Sequence, residues 1–379
     1  MHVRRAALRA AVAIATALTG TAVPAGSAAT AVPGRSTTFT WTGASEQAYG
    51  DARMSTPGNW SAGLAPPSGT PVDLVFPALS CVVAETCDRV RNDIPGLQAA
   101  SFTVTAPGTP PPGPYVKGGV YHFNGTELRL SGSLVTAVDR ATGPQVPSLL
   151  WRMPVRVDGG GAAWLLADVG MLLRGRVTGG PLQVRPTGGA ALVVAPAGSI
   201  EVARLEVSGT HANVVSSVYG ADVDARTRGP VTFRSLAVSL AHASLGPVTV
   251  RSSDLEITSA SKRKQTVTRV AGDLRLDGRS HLALREFGHH HASLVASGAV
   301  RLGGAELDAY VECSDARVGT ASTYLRAASV TGHLSRTDGT PIRDGDLVSA
   351  VGLYSCDHDP RVRVDYTPQA LTLTVVGVG

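Results

Sequence analysis

The sequence predicts an all-β protein: a right-handed parallel β-helix with an N-terminal cap and C-terminal closing strands. A pair of β-sandwich domains is the alternative. Three observations lead there. From about residue 121 onward the chain is a string of short β-type runs, each cut by Gly or Pro, and a 3.6-residue apolar period is seldom visible. Phrases recur: "GPVTFRSLAV" starts at Gly229 and "GPVTVRSSDLEI" at Gly246, while "GDLRLDG" at Gly272 is echoed by "GAVRLGGAEL" at Gly298. The runs also keep one side in, with Leu274 and Leu276 facing one way and Asp273, Arg275 and Asp277 the other. A coil with a single apolar face buries it only by stacking on its neighbours, which is the solenoid condition.

Composition agrees with this class. The chain of 379 residues carries 43 Gly and 24 Pro and is only 17% charged, a balance that favours short strands and tight turns over helices. Its 43% apolar content is enough for a sizeable core.

Taken in order, residues 1–31 read as a secretory signal. "MHVRRAALRA" supplies the basic region, "AVAIATALTGTAV" a short apolar one, and Ala29-Thr30-Ala31 an A-x-A cleavage site. Arg4-Arg5 fits a twin-arginine signal only in part. Removing this leader takes away Arg4, Arg5 and Arg9 and no acid, so the formal charge falls from +5 to +2. The apparent basicity is a property of the leader, which argues against a polyanion-binding surface and against nucleic acid as partner. No transmembrane segment is expected after cleavage, and no lipoprotein cysteine or sorting signal is seen, so a secreted, extracellular protein is expected.

Residues 32–114 read as a β-rich cap module that ends in the Pro-rich segment "APGTPPPGP". Two of the four tryptophans, Trp41 and Trp60, lie here, separated by small and polar residues with no evident core. The first coil of a solenoid exposes a raw apolar end and unpaired strand edges. Trp41, Gly43, Asn59, Trp60 and Phe76 are therefore expected to form a structural cap with buried rings; exposed, coplanar rings would instead signal a sugar platform. Residues 115–310 are expected to form the solenoid and 311–379 the closing strands. Four cysteines in an exported chain imply two disulfides. Three connectivities are open, and local pairing of Cys81 with Cys87 and of Cys313 with Cys356 is expected, worth about 2 and about 4 kcal/mol in the loop-entropy view.

Trp41-Thr42-Gly43, Asn59-Trp60, Pro66-Pro67 and "DLVF" at 73–76 resemble the W-x-G, NW, P and F opening of secreted bacterial proteins akin to autotransporter passengers with autotransporter-associated strand repeats. "LLRGRVTGGPLQVRPTGGAALVVA" in the middle, and "YLRAASVTGHL", "IRDGDLV" and "VRVDYTPQALTLTV" near the end, resemble that family's repeat and closing strands. The resemblance implies an extracellular β-helical protein, usually non-enzymatic, with an adhesive or surface role. No C-terminal membrane barrel follows, so the family's delivery route is not implied.

Chemistry-bearing motifs are sparse. There is no G-x-S-x-G, HExxH or P-loop. In "YGADVDARTRG", Asp222, Asp224 and Arg226 would share one face of a strand, and carboxylates two residues apart lie about 7 Å apart, within reach of an inverting glycosidase pair. Solvent-facing strands carry such alternation anyway, as Asp254/Glu256 and Asp273/Arg275/Asp277 do, so these residues are low-ranked catalytic candidates. "REFGHHHASL" holds Glu286, His289, His290 and His291, with His281 upstream, and reads as a surface loop without a ligand. Asp357, His358 and Asp359 beside Cys356 are a low-ranked metal candidate, and "SKRKQ" at 261–265 is a solvated loop. No cofactor is expected. The expected function is a secreted, non-catalytic β-solenoid with a structural, adhesive or binding role, its partner class a cell-surface glycan or protein. A carbohydrate-active β-helix, lyase or hydrolase, is the alternative; it should gather three or more acids with a basic residue on one lateral face.

Overall fold

Each strand has one apolar face, and the whole architecture follows from burying it. The strand Leu182–Thr187 buries Leu182, Val184 and Pro186 and turns Gln183, Arg185 and Thr187 outward. One such face is too small to be stable alone, so successive runs lie on one another, parallel and in register. A computed structural model describes residues 36–77, 89–107, 121–139, 148–167, 169–188, 190–194, 198–209, 215–216, 227, 229–240, 243–257, 266–286, 291–312, 317–353 and 360–377. The described residues are nearly all in strands and turns, and no helix among them is long and apolar enough to cross a membrane.

The longest sheet starts at Thr37–Thr40 and steps through Pro71–Phe76, Gln98–Pro107, Leu128–Asp139, Ala162–Ala167, Leu182–Thr187, Leu205–Ser208, Val231–Arg234, Val248–Arg251, Leu274–Leu276 and Ala299–Arg301 to Ser329–Thr331. Every pairing along this path is parallel. A side branch of Val155–Val157, Arg176–Gly179 and Ser199–Val202 is parallel too. Five strands, Arg89–Asn92, His122–Gly125, Ser148–Trp151, Gly170–Leu173 and Ala191–Val194, make a second parallel sheet. A third runs from Val215–Ser216 through Ala237–Leu240, Asp254–Ile257, His281–Glu286 and Glu306–Glu312 to Val351–Leu353. The strands on either side of residue 114 pair with one another, and Glu306–Glu312 crosses residue 310, so the ladders run through both expected boundaries.

The recurring phrases are the stacked strands. Val231 pairs with Val248, joining the two "GPVT" phrases, and Leu274 pairs with Val300, joining "DLRL" to "AVRL". The inward row Leu182, Leu205, Val231, Val248, Leu274 and Val300 is buried along the sheet. Each such side chain contributes roughly 1.5–3 kcal/mol of gross transfer energy.

The fourth sheet differs. Ser244–Leu245, Thr266–Val270, Ala292–Ala296 and Ala321–Arg326 are parallel, but Ala321–Arg326 then receives Ala370–Gly377 antiparallel. Arg361–Thr367 and Asp346–Ser349 add two further antiparallel strands. The ladder therefore ends in a hairpin and a third strand.

At the other end Trp41 and Trp60 form an isolated antiparallel bridge and meet edge to face with ring centroids 5.1 Å apart. Both are buried, not an exposed coplanar pair. Phe76 lies between this pair and Phe102, on which it stacks at 4.8 Å, and Phe102 and Phe123 lead on to Trp151. The Trp60 indole N–H donates to the Met54 carbonyl at 2.7 Å. Asn59 is fully buried: its amide donates to the Asp51 and Arg53 carbonyls, and its oxygen accepts from the Glu46 N–H. Gly43, at φ 64°, is the turn before a short helix, Ala44–Tyr49. The stretch between the tryptophans thus contradicts the expectation that it lacks a core, because Met54, Asn59 and Glu46 are buried within it. The helix was equally unannounced, since six residues are too few to display a period.

Cys81, Cys87, Cys313 and Cys356 lie outside the described residues, as do Asp222, Asp224, Arg226, His289, His290, Asp357, His358, Asp359 and the basic cluster at 261–265.

Candidate functional site

On the third sheet the alternation of three neighbouring strands brings charged groups onto one outer face. In Asp254–Ile257, Leu255 and Ile257 go inward, which turns Asp254 and Glu256 out. Leu282 and Leu284 are buried in the next strand, leaving His281, Ala283 and Arg285 outside. Leu307, Ala309 and Val311 do the same in Glu306–Glu312, leaving Glu306, Asp308 and Tyr310 outside. The register aligns Asp254, His281 and Glu306 in one row and Glu256, Ala283 and Asp308 in the next. Ala283 is the small member of its row. It leaves a gap between Glu256 and Asp308, whose backbones are two strand spacings, about 9.6 Å, apart.

Two groupings result. His281 bridges the acids of the adjacent strand: its Nε2 lies 3.8 Å from Glu306 and its Nδ1 3.4 Å from Asp308. Arg285 is ion-paired through Nε with the Glu256 carboxylate, and its guanidinium lies 5.1 Å from the centre of the Tyr310 ring. Partial burial pushes the Asp308 carboxyl above the ordinary carboxylate value; Glu306 and Asp254 add to the shift and His281 opposes it. Burial and the neighbouring Asp308 charge push the Tyr310 phenol up in the same way.

The sign of the Asp308 shift gives a pH test. A carboxyl raised in the folded state favours the protonated form. Its stabilising contribution is complete below the unfolded value of 3.8 and is lost as the pH rises through the higher folded value. Asp308→Asn stays neutral throughout, so its melting temperature relative to wild type should climb as the pH rises above 3.8. A difference that stays flat would show that burial and like charge do not govern this group.

Chemically the face offers a carboxyl biased toward protonation, a second carboxylate across a gap, and a basic and an aromatic group at its side. Such a set can hold a proton for transfer or orient a polar ligand. His281, Glu306 and Asp308 also offer one nitrogen and two carboxylate oxygens, all within 4.8 Å of one another, a donor set a divalent cation accepts.

Glu286, expected in a surface loop, is the last residue of the strand that begins at His281. His291 is set beside Tyr324, with ring centroids 5.5 Å apart. The alternation alone makes Asp254 and Glu256 an ordinary solvent face; the register sets them beside His281 and across Ala283 from Asp308. Arg285, Glu306, Asp308 and Tyr310 were not singled out. The available signal was the repeated alternation D-x-E, H-x-A-x-R and E-x-D-x-Y in successive coils.

No protein-family model, no curated protein and no solved structure matches this chain.

Proposed function

We propose that the chain is a secreted right-handed parallel β-helix that acts outside the cell as a non-catalytic structural or binding rod, in the manner of the autotransporter-like passengers it resembles. The observation that carries this reading is the parallel ladder from Thr37 to Thr331, with buried tryptophans over one end and an antiparallel hairpin over the other. Stacking that is closed at both ends leaves only lateral faces free for partners. The right hand follows from the general chirality of parallel crossovers. Twelve strands along the longest path, at about 4.8 Å each, give a rod of about 53 Å. Expression of the full chain in a bacterium should yield a protein in the medium that starts after Ala31, and small-angle scattering should show an elongated particle of about that length. Retention in the cytoplasm, or a spherical particle, defeats the proposal.

The face around Ala283 favours a second reading, a lyase or hydrolase of an extracellular polysaccharide, because four acids, Arg285 and Tyr310 share it. A panel of neutral and acidic polysaccharides separates the two. If one is cleaved, Glu256→Gln and Asp308→Asn should each lower turnover by at least about a hundredfold. If none is cleaved, the non-catalytic reading stands.

A further inference from the structure

We infer that the longest sheet carries a binding face for a linear acidic polysaccharide. Four consecutive strands of that sheet, Val231–Arg234, Val248–Arg251, Leu274–Leu276 and Ala299–Arg301, each turn one exposed arginine outward: Arg234, Arg251, Arg275 and Arg301. The register sets Arg234 directly beside Arg251, and Arg275 directly beside Arg301. Like charges on adjacent strands, about 4.8 Å apart, repel and lower stability, so the arrangement is one that folding alone does not favour. Only Arg275 has a carboxylate partner, Asp273 at 3.2 Å; Arg234, Arg251 and Arg301 have none among the described residues.

Net charge hides this face. The expected mature charge of +2 argued against a polyanion surface, but the total is an average over unlike sides. The third sheet turns out Asp254, Glu256, Glu306 and Asp308, while the longest sheet turns out arginines. Binding depends on the local field, and here four exposed arginines stand against Asp273 and Glu206, a local excess of positive charge that the nearly neutral sum conceals.

The neighbours of the arginines select the partner. Guanidinium forks pair with carboxylate or sulfate oxygens. Between and beside them the outward row carries Thr232, Thr249 and Thr331, hydroxyls suited to sugar hydroxyls. The same row continues through Glu206 and Gln183 into an open cleft of about 560 Å³ floored by Ala162, Ala163 and Gly161 and bordered by Arg204. No aromatic ring is turned outward on these four strands to stack a base, which disfavours single-stranded nucleic acid. The arginines form two pairs in outward rows two residues apart, Arg234 with Arg251 and Arg275 with Arg301, and charges repeated across four strands match a polymer with repeated anionic groups better than a single small anion.

The test uses the purified full-length mature protein with polygalacturonate, heparin, dextran and single-stranded DNA as probes. Binding to polygalacturonate or heparin that weakens with salt, with dextran unbound, is expected; which of the two binds tighter separates carboxylate from sulfate. The triple variant Arg234→Gln, Arg251→Gln, Arg301→Gln should weaken that binding at least about tenfold and melt no lower than wild type. Arg317→Gln, Arg343→Gln, Arg361→Gln, the same charge change outside this sheet, should bind as wild type. If the glutamine triple melts lower, the corresponding lysine triple is measured instead; it should keep the salt dependence and lose affinity for the anionic groups that a fork pairs. The inference is overturned if neither acidic polymer binds, if both triples weaken binding equally, or if DNA binds as tightly as the polysaccharides. The experiment needs neither export nor catalysis, so it can fail while the proposed function stands, and the reverse.

Discussion

Trp41→Ala should lower the unfolding free energy by about 3–5 kcal/mol, the usual cost of removing a large buried aromatic, and should leave a protein that aggregates. Trp41 is fully buried and in contact with Trp60 at 5.1 Å and Phe76 at 5.8 Å. Its loss opens a cavity over the first coil of the ladder, and the exposed strand edge there is a template for pairing with other chains. Trp41→Phe should cost far less, under about 2 kcal/mol. The Trp41 indole N–H is buried without a hydrogen-bond partner, so phenylalanine removes an unsatisfied donor while keeping a ring in place. Chemical denaturation with light scattering checks both variants. Equal losses for alanine and phenylalanine would mean that the cavity is not what matters.

Gly179→Ala should cost roughly 3–5 kcal/mol, from backbone strain together with overpacking. Gly179 ends the strand Arg176–Gly179 at φ 104°, and a Cβ placed on it would lie 2.1 Å from the Val157 carbonyl oxygen. The backbone has no room to yield. The Gly179 carbonyl accepts from Ala203 on one side, and the adjacent Gly180 N–H donates to Val157 on the other. Gly159→Ala is the matched control: a Cβ there meets nothing within 4 Å, and the melting temperature should hold or rise slightly. If both variants melt alike, close approach of the strands is not what requires glycine at residue 179.

The strand class and the stacking were legible in the sequence because they rest on local information. Leu274 and Leu276 alternate with charged neighbours, and two copies of "GPVT" stand at a distance that turned out to be the ladder step. That Trp41 and Trp60 are buried and in contact was hinted at by two scarce indoles close together in the chain. The charged faces were not legible. Asp254, His281 and Glu306 become neighbours only once the step between coils is known at that point, and the step changes along the chain. The arginine face was obscured for the same reason, with net charge adding to the confusion by cancelling one side against another. The hydrogen bonding of Asn59 was not legible, since three hydrogen bonds at one buried amide leave no trace in spacing.

The changing step has a consequence of its own. Val231 pairs with Val248 after a short circuit, while Val248 pairs with Leu274 after a longer one, yet both are single rungs of the same sheet. The longer circuit leaves the pairing of successive strands in this sheet unchanged. Length variation in this molecule is therefore decoupled from its axial geometry. A peptide grafted between strands should leave the strand pairings that follow unshifted, whereas a single residue inserted within a strand reverses inside and outside for the rest of that run.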